Sequence, residues 1–304
     1  MPGFPSQDQI PLGQSERSAS PIAWGMWRFQ GGDLAAARLR VETALEAGFT
    51  LFDTADVYGP DNGEPFGAAE TLLGRVFAEA PQLRERVLLA TKGGIRPGVP
   101  YDSSAAWLSR ACEDSLRRLQ VERIDLYQIH RPDLLAHPAE VAETLASLRE
   151  AGKIGEVGVS NHSVAQTEAL QAHLPFPIAA VQVEFSPLVI TALADGTFDR
   201  ALANGATVLA WSPLAQGRLG DVATTGDARA QAVRAALDAI AQAKGVSRTV
   251  AAYAWILRHP SRPIPIVGSQ QPQRILEAAQ ALDVGFSRAE WYAVLTAARG
   301  SPLP

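Results

Sequence analysis

The sequence predicts an α/β fold, a (β/α)8 TIM barrel with a short N-terminal plug and extra peripheral helices. Three observations carry this. Short apolar, often β-branched runs alternate eight times with longer stretches rich in Ala, Leu, Arg and Glu, the pattern of parallel strands joined by helices. The runs are nearly continuous in apolar character, as befits strands covered on both faces. No Gly-x-Gly-x-x-Gly follows the first run, which weighs against an open dinucleotide-binding sheet. Eight such units close naturally into a barrel of about 250 residues. The chain has 304 residues, 47% of them apolar, and is read as a single barrel domain spanning 1–304.

Residues 1–20 read as a plug or hairpin ahead of the first strand. Strands are expected at 22–29, 50–52, 87–91, 124–129, 156–160, 180–184, 207–211 and 264–267. Their helices are expected at 34–47, 68–80, 104–119, 138–151, 164–173, 197–204, 228–244 and 273–282. Asp33 and Asp102 precede helical patterns and can cap them by accepting first-turn N–H bonds. Gly48, Gly152, Gly205 and Gly245 follow helical patterns, where a left-handed cap favours glycine. A Gly-containing loop follows the seventh strand at 213–227, and further helices are expected at 249–259 and 288–298.

Composition narrows the partners. The net charge is −5 and no basic stripe is present, so neither nucleic acid nor an anionic membrane is expected to bind. The single cysteine, Cys112, cannot form an intramolecular disulfide and reads as a small core residue. The first residues lack the charged and apolar regions of a signal peptide, and no run of 18 apolar residues appears. A cytoplasmic protein, monomeric by default, is expected.

In such barrels the chemistry sits at the C-terminal ends of the strands. The polar residues expected there are Asp53 and, in the loop beyond it, Tyr58; then Lys92, His130, Ser160, Asn161, Gln182, Trp211 and Ser212. Four of these form a coherent acid–base device. A phenol has a pKa near 10 and is a sluggish acid at neutral pH. A cation such as Lys92 would stabilise the phenolate of Tyr58 and lower that value. A carboxylate such as Asp53 would keep a buried lysine charged. His130 could hydrogen-bond a carbonyl oxygen and hold it in line. Lysine is rare here, only three in the chain, so one in an apolar strand stands out.

The motifs that carry these residues resemble the aldo-keto reductase superfamily. They are Gly48-Phe-Thr-Leu-Phe-Asp53-Thr-Ala-Asp-Val-Tyr58-Gly59 with Ala69-Glu-Thr-Leu-Leu-Gly74 behind it, then Ala90-Thr-Lys92 and Leu126-Tyr-Gln-Ile-His130. Gly155-Glu-Val-Gly-Val-Ser160-Asn161, Val181-Gln182-Val-Glu184 and Ala210-Trp211-Ser-Pro-Leu214 follow in family order. The likeness covers residues 20–282, and the ending, from Glu290-Trp-Tyr to Leu303-Pro304, resembles a poorly characterised bacterial oxidoreductase subgroup.

The resemblance implies reduction of an aldehyde or ketone to an alcohol by hydride from a nicotinamide cofactor, NADPH preferred and NADH possible. Tyr58 would donate the proton, Asp53 and Lys92 would tune it, and His130 would orient the carbonyl. His130 stands where the family's steroid double-bond reductases carry Glu, which favours C=O over C=C reduction. Ser160, Asn161 and Gln182 would hold the nicotinamide carboxamide and Trp211 would stack on its ring. Ser212, Leu214, Gln216 and Arg218 would line the pyrophosphate. Arg274 and Ser269 would meet the 2′-phosphate and Glu277 the adenine. Gly268 and Ala278 depart from the Lys and Asn of some relatives, which weakens the case for tight NADPH binding.

Around this centre, Trp27 is expected to wall the substrate pocket, with Trp24 and Trp107 as further candidates, and loops 60–67 and 96–101 to border it. Arg131 is expected to pair with Asp133 or a neighbour. Asp56 is read as surface or supporting, and His162 as pocket-lining or structural. His137, His173 and His259 are read as helix-end or surface residues. A cofactor-binding, redox-sensing regulatory subunit with little turnover is the alternative function. A metal-dependent barrel hydrolase needs clustered ligands at strand ends, where only one His is expected, so no metal site is assigned.

Overall fold

The computed structural model describes residues 9–224 and 227–303. Residues 1–8 of the expected plug, 225–226 of the expected loop, and Pro304 lie outside the described residues. An antiparallel pair, β1 (Ile10–Pro11) and β2 (Ser18–Ala19), precedes the barrel. Eight parallel strands then close into a barrel: β3 (Ala23–Gly25), β4 (Leu51–Asp53), β5 (Leu88–Gly93), β6 (Ile124–Ile129), β7 (Ile154–Ser160), β8 (Ala180–Glu184), β9 (Thr207–Trp211) and β10 (Ile264–Val267). They neighbour one another in chain order, and β10 closes the ring by pairing with both β9 and β3.

The described helices are α1 (Leu34–Glu46), α2 (Ala68–Glu79), α3 (Pro81–Arg84), α4 (Ala105–Leu119), α5 (Pro138–Glu150), α6 (Val164–Gln171), α7 (Thr197–Asn204), α8 (Ala228–Lys244), α9 (Arg248–Leu257), α10 (Pro272–Ala279) and α11 (Arg288–Arg299). Asp33 caps α1 as expected, accepting from Ala36 N. Gly48, Gly152, Gly205 and Gly245 all adopt positive φ at helix ends.

Four local readings change. The first strand stops at Gly25, because Phe29 N turns back to Met26 O while both side chains stay in the core. The cap of α4 is Ser104, and Asp102 instead accepts from the Ser104 N–H and hydroxyl. The one-turn helix α3 was not expected. The stretch expected to be helical to 282 leaves α-geometry at Ala279 and continues as a 3-10 turn over Gln280–Asp283.

Two apolar layers follow from the pleat. Outward-facing strand residues such as Phe52, Leu89, Tyr127 and Val157 pack with the helices into the main core. Inward-facing Ala23, Leu51, Ala90, Leu126, Ala180, Leu209 and Ile264 fill the barrel, and Ile10, Leu12 and Ala19 of the hairpin close its floor. Two residues further along the same inward faces the chemistry changes: Leu51 is followed by Asp53, Ala90 by Lys92, Leu126 by Gln128 and Ala180 by Gln182. The barrel is therefore apolar at its floor and polar at its mouth. Among the described residues no helix is long and apolar enough to cross a membrane.

Candidate active site

The polar layer converges on Lys92. Its ammonium is fully buried, donating to Asp53 Oδ2 at 2.7 Å, the Thr54 carbonyl at 2.9 Å and the Tyr58 hydroxyl at 3.1 Å. An ammonium has three N–H groups, so every one is used. With its lone pair engaged by Lys92, the Tyr58 hydroxyl keeps its own proton free to give. Asp53 Oδ1 accepts from Gln128 Nε2 at 3.2 Å and Gln182 Nε2 at 2.9 Å. The carboxylate is thus held on both oxygens in a place where a bare charge would cost several kcal/mol.

The loop that presents Tyr58 is stitched to β5. Thr54 N donates to Ala90 O, Asp56 N to Lys92 O, and Ala69 N at the start of α2 to Tyr58 O. Gly59 is required next to it, since a Cβ there would stand 1.9 Å from Pro65 O. Gly93 has a similar reason on β5, where a Cβ would stand 2.0 Å from the Tyr127 hydroxyl. His130, at the end of β6, meets the Tyr58 ring edge-on at 5.9 Å between centroids.

Electrostatics assign the charge states. Burial alone would lower the Lys92 ammonium, but the charge of Asp53 and its contacts with Tyr58 outweigh burial and hold it above the usual lysine value. Burial raises the Tyr58 phenol above the usual tyrosine value; Lys92 and Arg131 pull it down without cancelling that effect. This corrects the expectation of a net lowering: removing the ring from water costs the phenolate more than the neighbouring cations return. Burial, then the charges of Lys92 and Arg131, hold the His130 imidazole well below its usual value, so it is neutral. Its Nδ1 is buried with no partner among the described residues.

On the other side of the mouth, Ser160 is buried and Asn161 stands at φ 59. Asn161 donates to Ser160 Oγ at 2.8 Å and accepts from Trp211 Nε1 at 3.0 Å. The half-buried Trp211 is therefore anchored by its indole nitrogen. Arg131 lies 5.9 Å over its ring, and Asp133 accepts instead from Ser103 N and Leu135 N, so the expected Arg131–Asp133 pair does not form. Ser212 and Gln216 take positive φ in a tight loop, half-buried Leu214 packs against the core, and Arg218 Nε donates to Ala215 O at 3.1 Å. Ser269 O accepts from Trp24 Nε1 and its hydroxyl from Gln271 N at 3.3 Å, and the exposed Arg274 stands nearby on the first turn of α10. Glu277 Oε1 accepts from Ser247 Oγ at 2.6 Å, so it is already engaged.

Trp27 is 43% exposed on the rim, tied through Nε1 to Asp61 and through its carbonyl to Asn62. Trp24 is fully buried against Phe29 and Phe52 and is a core residue, not a pocket wall. Trp107 is half-buried with Arg96 over its ring. His162 is anchored to the Ser160 carbonyl and lines a cavity of about 280 Å³ on the outside of β8, between α6 and α7. His137 caps α5, and Cys112 is buried with its thiol pushed up to about 12 by burial, hence inert.

A phenol, an ammonium, a carboxylate and an imidazole thus meet at the C-terminal mouth of an eight-stranded barrel. The aldo/keto reductase family model matches residues 21–298. The chain belongs to the aldo/keto reductase family. It is 54% identical over 295 residues to a 6-dehydroglucose reductase of Novosphingobium aromaticivorans, covering 96% of each chain. It is 34% identical to a 6-dehydroglucose reductase of Agrobacterium fabrum, covering 93% of this chain and 96% of that one. Among solved structures it is similar to the glycerol dehydrogenase of Gluconobacter oxydans, with TM-score 0.85 and 29% identity over 98% of this chain and 97% of that one. A thermostable aldo-keto reductase with bound inhibitor shares the fold at TM-score 0.81 and 23% identity, covering 95% of this chain and 99% of that one. The protein is an oxidoreductase of a family that uses NAD(P)H.

The residues present suit such a cofactor. Buried Ser160 and Gln182 and half-buried Asn161 offer amide and hydroxyl groups at adjacent strand ends, an anchored indole stands beside them, and a Cβ at Gly268 would meet nothing within 4 Å. Sequence reasoning missed Gln128, which shares Asp53 with Gln182. The signal was available: Gln128 lies two residues beyond Leu126, on the inward face.

Proposed function

We propose that this aldo/keto reductase reduces the aldehyde group of a sugar of the 6-dehydroglucose type to a primary alcohol, with NADPH preferred. The observation that carries the chemistry is the Lys92 ammonium, fully donated to Asp53, Thr54 and Tyr58. The substrate class rests on the 54% identical relative, whose name is 6-dehydroglucose reductase.

A bound reduced nicotinamide supplies the hydride. The rest falls to the chain. The Tyr58 hydroxyl protonates the carbonyl oxygen, and Lys92 stabilises the phenolate left behind, a proton-transfer contribution of about 10²–10⁴-fold. Asp53 keeps Lys92 cationic, and Gln128 and Gln182 hold the Asp53 side chain in place by satisfying its second oxygen. Neutral His130 donates an N–H to the carbonyl oxygen and fixes its direction, as a neutral imidazole can where an imidazolium would repel Lys92. Ser160, Asn161 and Gln182 would hold the carboxamide, Trp211 would cover the ring, and Ser212, Leu214, Gln216 and Arg218 would follow the pyrophosphate. Arg274 and Ser269 would meet a 2′-phosphate, which favours NADPH, while Glu277 would reach adenine only by leaving Ser247. Trp27 would wall the substrate. The relatives above carry enzyme names, and no observation favours a regulatory subunit.

The test is oxidation of NADPH and of NADH by the purified protein with 6-dehydroglucose and a panel of simple aldehydes, for wild type and Tyr58→Phe. Turnover with the sugar aldehyde, faster with NADPH and cut by about 10²-fold or more in the variant, is the expected result. Full turnover by Tyr58→Phe would reject the assigned acid. Failure of wild type with the sugar alone would reject the substrate class.

A further inference from the structure

Behind the acid lies a pair of carboxyls that this mechanism does not use. Asp56 and Glu70 are both fully buried. Glu70 is satisfied on both oxygens, by Arg118 Nε at 2.7 Å and by the Thr91 hydroxyl. Asp56 accepts no hydrogen bond of normal geometry from a described residue on either oxygen. The charged and titratable groups facing it are Glu70 from α2, Arg118 from α4, Lys92 from β5 and Tyr127 from β6. Neither cation is free: Arg118 is bonded to Glu70 and Ser115, and Lys92 spends its three donors elsewhere. Two carboxyls deep in the same wall, with one guanidinium claimed by one of them, cannot both ionise cheaply.

We infer that Asp56 serves the reaction as an uncharged carboxylic acid, a positioning residue that anchors the Tyr58 loop between β5 and α2 without placing a second negative charge behind Lys92. Its backbone N–H donates to the Lys92 carbonyl, midway between Thr54 and Tyr58, and its fully buried side chain fills the wall at that point, so its volume rather than a side-chain hydrogen bond holds the loop where the acid is aimed. Burial, reinforced by the Glu70 charge, holds the Asp56 carboxyl well above the usual carboxylate range. An ionised Asp56 would add to the negative field of Asp53 and make Tyr58 a weaker acid.

The inference rests on Tyr58 as proton donor, and one arm of its test is independent of that. Asp56→Asn keeps both shape and neutrality; Asp56→Ala keeps neutrality but not volume. Asp56→Ala is expected to lose about 10²-fold in kcat, the scale of an ångström-size misplacement, with NADPH affinity kept. Asp56→Asn is expected to restore most of that loss and the wild-type pH profile of kcat. A difference infrared spectrum of wild type minus Asp56→Asn is expected to show the carbonyl stretch of a protonated carboxyl at neutral and mildly alkaline pH. If Asp56→Ala does not fold, Asp56→Asn and the spectrum decide. Loss of turnover in Asp56→Asn, or absence of the protonated-carboxyl band at neutral pH, overturns the inference. A positive band with an active Tyr58→Phe would instead leave Asp56 neutral and dismiss the acid it was argued to aim.

Discussion

Two strand carboxylates at opposite ends of the barrel show how the same side chain serves different ends. Asp125, on β6 near the floor, accepts from Arg17 of the β1–β2 hairpin, from Arg84 of α3 at 2.8 Å and from Leu89 N at 2.9 Å. Its partners come from three elements and spend themselves on holding those elements together. Asp53, on β4 at the mouth, accepts from Lys92, Gln128 and Gln182, all on the barrel's inner face. Here the network does not close on itself: Lys92 goes on to Tyr58, which holds a proton it can give, and His130 Nδ1 has no described partner. A closed buried network gives stability, whereas an open one leaves groups poised for a ligand.

The sharpest way to break this contrast is Lys92→Met. It removes the cation from Asp53 and from Tyr58 at once, leaving an uncompensated buried carboxylate. We expect kcat to fall by about 10³-fold or more, together with about 3–5 kcal/mol of stability, read from steady-state rates and denaturant midpoints. Unchanged stability would show that the Lys92–Asp53 contact does not support the fold.

Asp125→Asn at the floor is expected to separate the two quantities. It should lower stability by about 1–2 kcal/mol, since both arginine partners are partly exposed, with kcat/KM unchanged. A fall in kcat/KM would mean that the hairpin floor communicates with the mouth.

The smallest effect concerns pH. The folded His130 is held below its ordinary value of 6.5, so below that value the unfolded chain binds the extra proton and the folded one does not. Stability is therefore lost as pH falls from 6.5, by up to about 1.4 kcal/mol per pH unit from this group. His130→Gln should flatten that part of the slope in denaturant midpoints measured across mildly acid pH. An unchanged slope would mean that His130 takes up a proton as readily in the folded protein as in the unfolded chain.

Much of this was legible in the sequence. The expected order of eight strands and helices holds because burial on both faces leaves continuous apolar runs, and glycines with positive φ mark helix ends such as Gly205 and Gly245. Asp53, Tyr58, Lys92 and His130 were nameable because strand ends carry polar residues only against a cost. What failed were readings that depended on neighbours distant in sequence. Trp24 could be read as a pocket wall or as plain packing, and it packs against Phe29 and Phe52 in the core, while Arg131 looked paired with Asp133 but lies over the ring of Trp211 at the end of β9.

By itself the sequence determined the period-two alternation that turns each strand's inner face from apolar to polar between floor and mouth. It therefore determined which end of the barrel carries chemistry, because alternation is local and the backbone enforces it. Only the tertiary structure decided the charge states. Tyr58 is raised rather than lowered, His130 is neutral, and of two buried carboxyls Glu70 holds the guanidinium while Asp56 does not. Those outcomes turn on desolvation and on which donor reaches which oxygen across the ring, quantities that exist only once the barrel has closed.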